Sequence, residues 1–159
     1  MSADPRTWIA KAEELGVVAA LLGEFRDWNA ARTPTDPQMR ANVDRVHEDG
    51  DGTYLLAAVG AGPAQAVCQL RYRWSVWTTS HDAWLEDLFV CEAVRGSGLG
   101  RALVEAAAEH ARDRGCARIE LDVDEGNSPA LGLYRATGFS GQLKAETRSL
   151  LLGRRLTQP

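Results

Sequence analysis

Cysteine and histidine are scarce in this sequence, and neither residue occurs at the spacing of a metal site. The three cysteines are Cys68, Cys91 and Cys116, an odd number that includes no C-x-x-C pair. This pattern argues against a disulfide framework and against a cysteine-rich zinc site. The three histidines are also scattered, so we expect no metal. Free thiols are typical of a reducing compartment, and the predicted localisation is therefore cytoplasmic.

The sequence also lacks an excess of positive charge and a long apolar run. Its formal net charge is -4 and its isoelectric point is about 5.4, whereas nucleic-acid-binding domains usually have a basic patch or a high isoelectric point. There is no run of roughly 18 apolar residues, and the N-terminus has no apolar signal core. We therefore expect neither a nucleic-acid partner nor a membrane partner.

What the sequence does contain is the apolar material and the periodicity of a globular domain. Its 159 residues are 45% hydrophobic, which fits a single domain spanning 1–159. The patterns predict one strand, two helices, three strands, a helix, a strand, a helix and a last strand. The predicted ranges are 7–11, 13–28, 37–48, 54–59, 65–74, 84–90, 99–114, 117–123, 128–137 and 147–156. This order predicts an α/β fold with a mixed sheet and helices on both faces.

A glycine-rich loop at residues 95–101 is the strongest functional signal. Its sequence is Arg-Gly-Ser-Gly-Leu-Gly-Arg, and a predicted helix begins within it. Alternating glycines allow the backbone N–H groups to face one point, and the helix N-terminus points its dipole at the same place. Arg95 and Arg101 add positive charge. The loop therefore predicts a site for a pyrophosphate.

Three other interpretations of this loop have to be weighed. A Walker loop needs Gly-Lys-Ser/Thr, which is absent. A dinucleotide fingerprint needs G-x-G-x-x-G directly after a buried strand. Here the spacing is G-x-G-x-G, the residues 91–95 intervene, and Glu86 and Asp87 are out of place in a buried parallel strand. Glu120 and Asp122, about 20 residues further on, could mimic the ribose-binding acid of a dinucleotide site. The third alternative is a flexible glycine-rich turn that binds nothing.

The loop and its surroundings resemble the GNAT superfamily of N-acetyltransferases. The matching features are the Leu-Glu-Asp-Leu-Phe-Val strand at 85–90, the glycine loop, and Asn127, Tyr134 and Gly138-Phe139 further on. The element order matches over nearly the whole chain, and the specific motifs cover 85–139. The aromatic-rich segment 72–77 and the Leu-Glu-Asp triplet resemble the diamine (spermidine/spermine-type) acetyltransferases. One departure is Glu125-Gly126 before the asparagine, where those enzymes tend to carry an aromatic residue.

This resemblance implies an acetyl-CoA cosubstrate, direct acetyl transfer and a set of binding residues. It also implies a mostly antiparallel sheet that splays between two central strands, where a backbone N–H meets the acetyl carbonyl. The residues implied for cofactor binding are Leu88, Phe89, Val90, Arg95, Gly96, Ser97, Gly98, Leu99, Gly100, Arg101, Asn127 and Tyr134.

Acetylation of an amine requires that the amine lose a proton. An alkylamine has a pKa of about 10.4, so removing its proton at pH 7 costs roughly 4–5 kcal/mol. The resemblance assigns the base role to Glu86, acting directly or through water. Period-two alternation predicts that Glu86 shares a face with Trp84 and Leu88, and that Asp87 points the other way. Glu86 could instead be held in a salt bridge, and Asp87 is a candidate substrate-charge partner.

Tyr134 is the candidate general acid. A phenol has a pKa of about 10, so it is protonated at neutral pH and can donate a proton to the departing thiolate. The resemblance puts this tyrosine beside the sulfur, and the simpler alternative is a helix tyrosine that packs on the core. Asn127 is expected either to contact the pantetheine arm or to cap the following helix.

An aromatic side chain in a polar segment indicates where the acceptor could bind. Trp77 lies in residues 75–82, which we predict to be a loop that closes over a cationic amine held by Glu86 and Asp87. The acceptor predicted on this basis is a diamine, a polyamine or an amino-acid-like molecule. Trp77 could equally pack without contacting a substrate.

Two further functions stay open on the sequence alone. The chain could acetylate a protein lysine or N-terminus, or it could be a non-catalytic module that senses acyl-CoA. Glu86 and Tyr134 favour an enzyme over a sensor. An apolar last strand that could leave an exposed edge, together with the family resemblance, predicts a homodimer.

Overall fold

The computed structural model of the chain describes residues 4–141 and 150–156. These residues fall into two compact units, Met1–Leu121 and Asp122–Pro159. The first unit contains the sheet and three helices, and the second contains a fourth helix. In the described part of the chain, no helix has the length and apolar character needed to cross a bilayer.

The sheet of the first unit has five strands in the order in which they occur along the chain. The strands are β1 (Pro5–Ile9), β2 (Gly52–Val59), β3 (Ala66–Ser75), β4 (Ser80–Val90) and β5 (Arg118–Glu120). The first four pair antiparallel, whereas β4 and β5 pair parallel. The mixed sheet predicted from the sequence is therefore confirmed.

Three helices cover the two faces of this sheet. They are α1 (Leu15–Trp28), α2 (Asp36–Glu48) and α3 (Leu99–Asp113). On one face, the buried side chains of α1 and α2 pack against Leu56, Val67 and Phe89. On the other face, α3 packs its buried stripe against the first four strands. That stripe consists of Leu99, Leu103, Val104, Ala107 and Ala111. Helices on both faces are thus confirmed.

The second unit contains α4 (Ser128–Ala136). Asn127 precedes the helix, and Pro129 lies in its first turn, where its missing N–H is not needed. Gly138 follows the helix with a φ of +90°, the left-handed conformation in which glycine commonly terminates helices. The predicted helix 128–137 is confirmed to within one residue.

Three predicted elements differ from the structure. Residues 75–82 are not a loop, because Ser75 ends β3 and residues 80–82 begin β4, which leaves a short turn between two long strands. The predicted strand 117–123 is reduced to β5, because its pairing with β4 ends at Glu120. Residues 150–156 form no strand, although a last strand was predicted over 147–156. Residues 147–149 of that prediction lie outside the described residues.

Candidate active site

The glycine loop joins β4 to α3 and has the backbone geometry of an anion site. Gly96 has a φ of +79°, and Gly98 has a φ of +89° at the N-cap position of α3. No side chain caps this helix start. The first helical hydrogen bond is donated by the N–H of Ala102 to the carbonyl of Gly98, at 3.0 Å. The preceding N–H groups of the first turn have no intrahelical acceptor.

The backbone of this loop is not crowded at Gly96. A Cβ at Gly96 would have no heavy atom within 4 Å, so the loop is open on that side. Uncapped N–H groups and the helix dipole favour a bound anion at this point. The described residues of the loop therefore fit the pyrophosphate of coenzyme A.

The polar side chains of the loop stabilise its shape. The Nε of Arg95 donates a hydrogen bond to the carbonyl of Val90 at 3.1 Å, and the Arg95 guanidinium carbon lies 4.8 Å from the ring centroid of Trp28. Ser97 Oγ donates to the carbonyl of Val94 at 2.6 Å. Arg101 is exposed, and its Nε lies 3.9 Å from Oε1 of Glu105. Arg95 and Ser97 therefore anchor the loop to the rest of the unit, whereas Arg101 reaches solvent.

The backbone edge of β4 becomes open shortly before the glycine loop. Parallel pairing with β5 joins residues 82–84 to residues 118–120 and ends there. Beyond Trp84, β4 continues to Val90, and among the described residues only β3 pairs with this part of it. Leu88, Phe89 and Val90 lie in this segment. Their free edge is where a backbone N–H could meet an acyl carbonyl.

A β-bulge separates the two acidic residues of β4. Leu70 on β3 pairs with Leu85, and Gln69 pairs with Asp87, so Glu86 has no partner across the ladder. An extra residue of this kind shifts the alternation of the strand. Trp84 and Asp87 consequently share a face, and Leu88 lies on the other one. The predicted common face of Trp84, Glu86 and Leu88 is therefore wrong.

The bulge gives the two acids different surroundings. Glu86 is exposed, whereas Asp87 is half-buried and lines a cavity of about 330 Å³. The cavity lies between the sheet and the two helices α1 and α2, and the segment that joins these helices lines it as well. Its apolar lining includes Leu22, Phe25, Met39, Val43 and Val46. Of the two acids, Asp87 is thus the one that faces this cavity.

The floor of this cavity is a row of three polar side chains on adjacent strands. Tyr54 on β2 lies directly opposite Gln69 on β3, which lies directly opposite Asp87 on β4. All three line the cavity. The sequence analysis missed Tyr54 and Gln69 as site residues. A glutamine within an otherwise apolar strand segment was the available signal, because such a residue needs a polar partner when it is buried.

The tryptophans at the β3–β4 turn do not close this cavity. Trp77 is 91% exposed, and neither Trp77 nor Trp74 belongs to the cavity lining. The turn that carries Trp77 follows Ser75, so the side chain lies at the far end of a hairpin. The cavity that Asp87 lines therefore does not include Trp77, although the sequence analysis predicted that the two residues share a site.

The second unit holds the other two predicted site residues. The Asn127 Oδ1 accepts a hydrogen bond from the N–H of Ala130 at 3.3 Å, so Asn127 caps α4. Tyr134 lies in the same helix and packs edge-on against Phe139, with ring centroids 5.8 Å apart. The capping alternative for Asn127 is thus observed. Both residues are held by local contacts within their own unit.

A metal has no candidate site in this part of the molecule. Across residues 4–141 and 150–156, no group of three or more metal-ligating side chains is arranged around a common point.

The fold and the geometry of the glycine loop fit an acyl-CoA-dependent transferase, and comparison with known proteins identifies the family. The sequence pattern described as "Acetyltransferase (GNAT) family" matches residues 20–139. The chain therefore belongs to the GNAT acetyltransferase family. The predicted family, the fold class and the assignment as an acetyl-CoA-dependent N-acetyltransferase are confirmed.

Individual relatives act on chemically different amines. The chain is 33% identical over 149 residues to thialysine N-epsilon-acetyltransferase of Mus musculus. That alignment covers 86% of this chain and 85% of the mouse enzyme. It is 34% identical over 93 residues to streptothricin acetyltransferase of Streptomyces lavendulae, covering 58% of this chain and 47% of that one. An aminoglycoside N-acetyltransferase solved in complex with coenzyme A shares the fold. Its TM-score is 0.78 at 18% identity, and the alignment covers 99% of this chain and 98% of that one.

Proposed function

We propose that this chain transfers the acetyl group of acetyl-CoA to the primary amine of a small molecule bound in the cavity above Asp87. The observation that carries the proposal is the cavity itself. It combines a carboxylate with an apolar lining and lies beside the strand segment whose edge is open. A volume of about 330 Å³ is at the low end of the range of roughly 300–1,000 Å³ for small-molecule pockets.

Cosubstrate binding is assigned to the glycine loop and to the open edge of β4. Acetyl-CoA, when bound, supplies an activated acetyl thioester. The N–H groups at the start of α3 would bind its pyrophosphate, since they have no acceptor within the helix. The backbone of residues 88–90 would hydrogen-bond the acyl oxygen and the pantetheine arm, because among the described residues no strand pairs with this edge. Asn127, which already caps α4, is proposed as a further contact to that arm.

The two acids of β4 are assigned different roles. Asp87 would hold the ammonium form of the acceptor inside the cavity. Glu86, exposed at the bulge, would receive the proton through water, because solvent reaches its carboxylate. The amine nitrogen then forms the new bond to the acetyl carbon, and the bond from that carbon to sulfur breaks. Tyr134 Oη would donate a proton to the departing sulfur.

Acetylation of a protein lysine or N-terminus is the second candidate. A peptide substrate would need a groove that accommodates main chain on both sides of the modified residue. The cavity is instead bounded by α1, α2 and the segment that joins them, which favours a small acceptor. The thialysine and streptothricin enzymes related to this chain also act on small molecules, according to their names.

The test is a measurement of acetyl-CoA-dependent thiol release with a panel of acceptors. The panel contains diamines, polyamines, amino acids, aminoglycosides and lysine peptides. Turnover of one or more small amines is the expected result. Turnover of peptides alone would overturn the small-molecule assignment and establish the protein-substrate alternative.

We also propose that the chain forms a homodimer and that it is cytoplasmic. The apolar residues Leu150, Leu151 and Leu152 are all exposed in the described chain, and a second copy would cover such side chains. Light scattering at micromolar concentration should give the mass of a dimer. A monomer mass under those conditions would contradict this assignment.

A further inference from the structure

Three aromatic rings form a column that runs from β4 to the last turn of α1. The rings of Phe25 and Phe89 have centroids 5.4 Å apart and planes inclined by 25°. The rings of Phe25 and Trp28 have centroids 6.2 Å apart and planes inclined by 27°. Phe89 is buried in the core, whereas Trp28 is 53% exposed. The column therefore begins in the core and orients an indole ring that reaches the surface.

The indole ring of Trp28 contacts the glycine loop through Arg95. The guanidinium carbon lies 4.8 Å from the ring centroid, which is within the range of a cation–π contact. The Nε of Arg95 donates to the carbonyl of Val90 at 3.1 Å. These two contacts use the face of the guanidinium and its Nε, so neither of them occupies the two Nη groups. Guanidinium N–H groups in this arrangement are good donors to phosphate oxygens.

The segment that joins β4 to the glycine loop is attached to α1 at both of its ends. Arg95 contacts Trp28 at one end, and Cys91 Sγ donates a hydrogen bond to Oε2 of Glu24 at 3.3 Å at the other. Burial and the contact with Glu24 raise the pKa of Cys91 to about 11, so the thiol stays protonated and remains a donor at neutral pH. Glu24 and Trp28 are one helical turn apart and lie on the same face of α1. Residues 91–95 thus take their position from the end of this helix.

We propose that Trp28 is a positioning residue for acetyl-CoA: its ring holds the guanidinium of Arg95 in the orientation that binds the pyrophosphate. Arg95 is exposed, and ordering a free arginine side chain on binding costs free energy. Stacking on a ring that Phe25 already orients removes part of this cost before the cosubstrate binds. The inference rests on the proposed binding of the pyrophosphate at the glycine loop, and it adds a residue from another element to that site.

The second arginine of the loop has no such support. Arg101 is exposed, and its Nε lies 3.9 Å from Oε1 of Glu105 on the next turn of α3. Among the described residues, no aromatic ring is stacked on its guanidinium. Removing the charge of Arg101 should therefore weaken acetyl-CoA binding less than removing the charge of Arg95.

The experiment is a double-mutant cycle in which calorimetry measures the Kd for acetyl-CoA. Trp28→Leu should raise this Kd about threefold to tenfold, as expected for the loss of a partly exposed cation–π contact. Trp28→Phe should lose less affinity, because it keeps an aromatic face. Arg95→Gln should raise the Kd at least as much as Trp28→Leu does. Once Arg95 is replaced, adding Trp28→Leu should have little further effect, because the two residues act through one contact.

Arg114→Gln is the matched control for the loss of charge. The Arg114 guanidinium carbon lies 4.3 Å from the ring centroid of Tyr72, at the opposite end of α3 from the glycine loop. This variant removes the same charge and the same kind of contact, so its Kd for acetyl-CoA should equal that of the unchanged chain. Melting temperatures of all the variants establish that each is folded at the temperature of the measurement.

A cosubstrate analogue distinguishes the two phosphate sources within coenzyme A. Acetyl-CoA that lacks the 3′-phosphate of its ribose still carries the pyrophosphate. The loss of affinity caused by Trp28→Leu should therefore be the same for this analogue as for acetyl-CoA. A loss that disappears with the analogue would show that Arg95 binds the ribose phosphate, and it would overturn the assignment to the pyrophosphate.

A merely structural role for Trp28 would raise the Kd equally with and without Arg95. That result overturns the inference, as does an unchanged Kd in either single variant or an equally large effect of Arg101→Gln or Arg114→Gln. If Gly98→Val weakens binding but Trp28→Leu does not, the glycine loop remains the cosubstrate site and this inference alone fails. If the cycle gives the expected coupling but no small amine is acetylated, the inference holds and the proposed acceptor class fails.

Discussion

The glycine loop and the cavity above Asp87, the two binding regions proposed here, are built in opposite ways. The loop offers backbone N–H groups, and its side chains mainly stabilise its shape. The cavity offers side chains contributed by three strands, two helices and a connecting segment. The loop is continuous in sequence and is proposed to bind a group whose phosphates do not vary. The cavity is assembled from distant positions, so a single substitution can change which acceptor fits while the cosubstrate site stays intact.

The largest expected effect is on a residue outside both regions. Tyr134→Phe should lower kcat by about 10²–10⁴-fold if the phenol protonates the leaving sulfur. Binding of acetyl-CoA and of the acceptor should be nearly unchanged, because neither the loop nor the cavity is altered. Steady-state kinetics and calorimetry on the same preparation check this. A normal kcat in a folded variant would remove Tyr134 from the proton transfer.

A change in backbone preference alone should weaken acetyl-CoA binding at the glycine loop. Gly98→Val should raise the Kd for acetyl-CoA by roughly tenfold to a hundredfold, because a β-branched residue resists a φ of +89° by about 1–3 kcal/mol. Lack of space is not the cause, since a Cβ there would lie at an ordinary 3.5 Å from Pro5.

Gly98→Asn is the control for this interpretation. Asparagine tolerates the left-handed region better than valine does, so it should retain more of the affinity. Equal loss in both variants would indicate obstruction by the side chain, and unchanged binding in the valine variant would contradict the cradle.

The two acids of β4 should respond differently to pH. Glu86→Gln should reduce kcat/KM by about tenfold near pH 6 and much less near pH 9, because fewer acceptor amines are already neutral at low pH. Asp87→Asn should instead raise KM across the whole range, since it weakens binding of the ammonium. A loss that is constant with pH for Glu86→Gln would refute its role as the base.

The smallest effect concerns the wall of the cavity. Arg26→Lys keeps the positive charge but cannot make the same set of hydrogen bonds to Pro34, Asp27 and Asp36. We expect KM for the acceptor to rise roughly two- to fivefold with kcat and acetyl-CoA binding unchanged.

Arg40→Lys is the matched control for the Arg26 variant. Its partner Asp44 is a neighbour on the same helix, and the pair is solvent-exposed. Its kinetics should equal those of the unchanged chain. A parallel change in acetyl-CoA affinity in the Arg26 variant would show that the two regions are less separate than described.

The difference between the regions also explains what the sequence could predict. Gly96 and Gly98 are needed for a local conformation, so their spacing identifies the loop without any knowledge of the fold. Tyr54, Gln69 and Asp87 become neighbours only through strand register, which local patterns do not determine. The wrong prediction for the face of Glu86 has the same origin, because the alternation was extended through a position that has no partner on β3. The turn carrying Trp77 was predicted as a longer loop because the strand residues beside it are polar.

The bulge also has a consequence for how related chains should be aligned. Glu86 has no partner on β3, so the residues that follow it in β4 alternate between the two faces one position out of step with those before it. A relative that lacked this residue would pair Leu85 and Asp87 with the same two partners in an unbroken ladder. Its aspartate would still face the cavity, whereas the exposed acid would be lost. A one-residue gap at this position should therefore be weighed as the loss of the proposed base, not as neutral length variation.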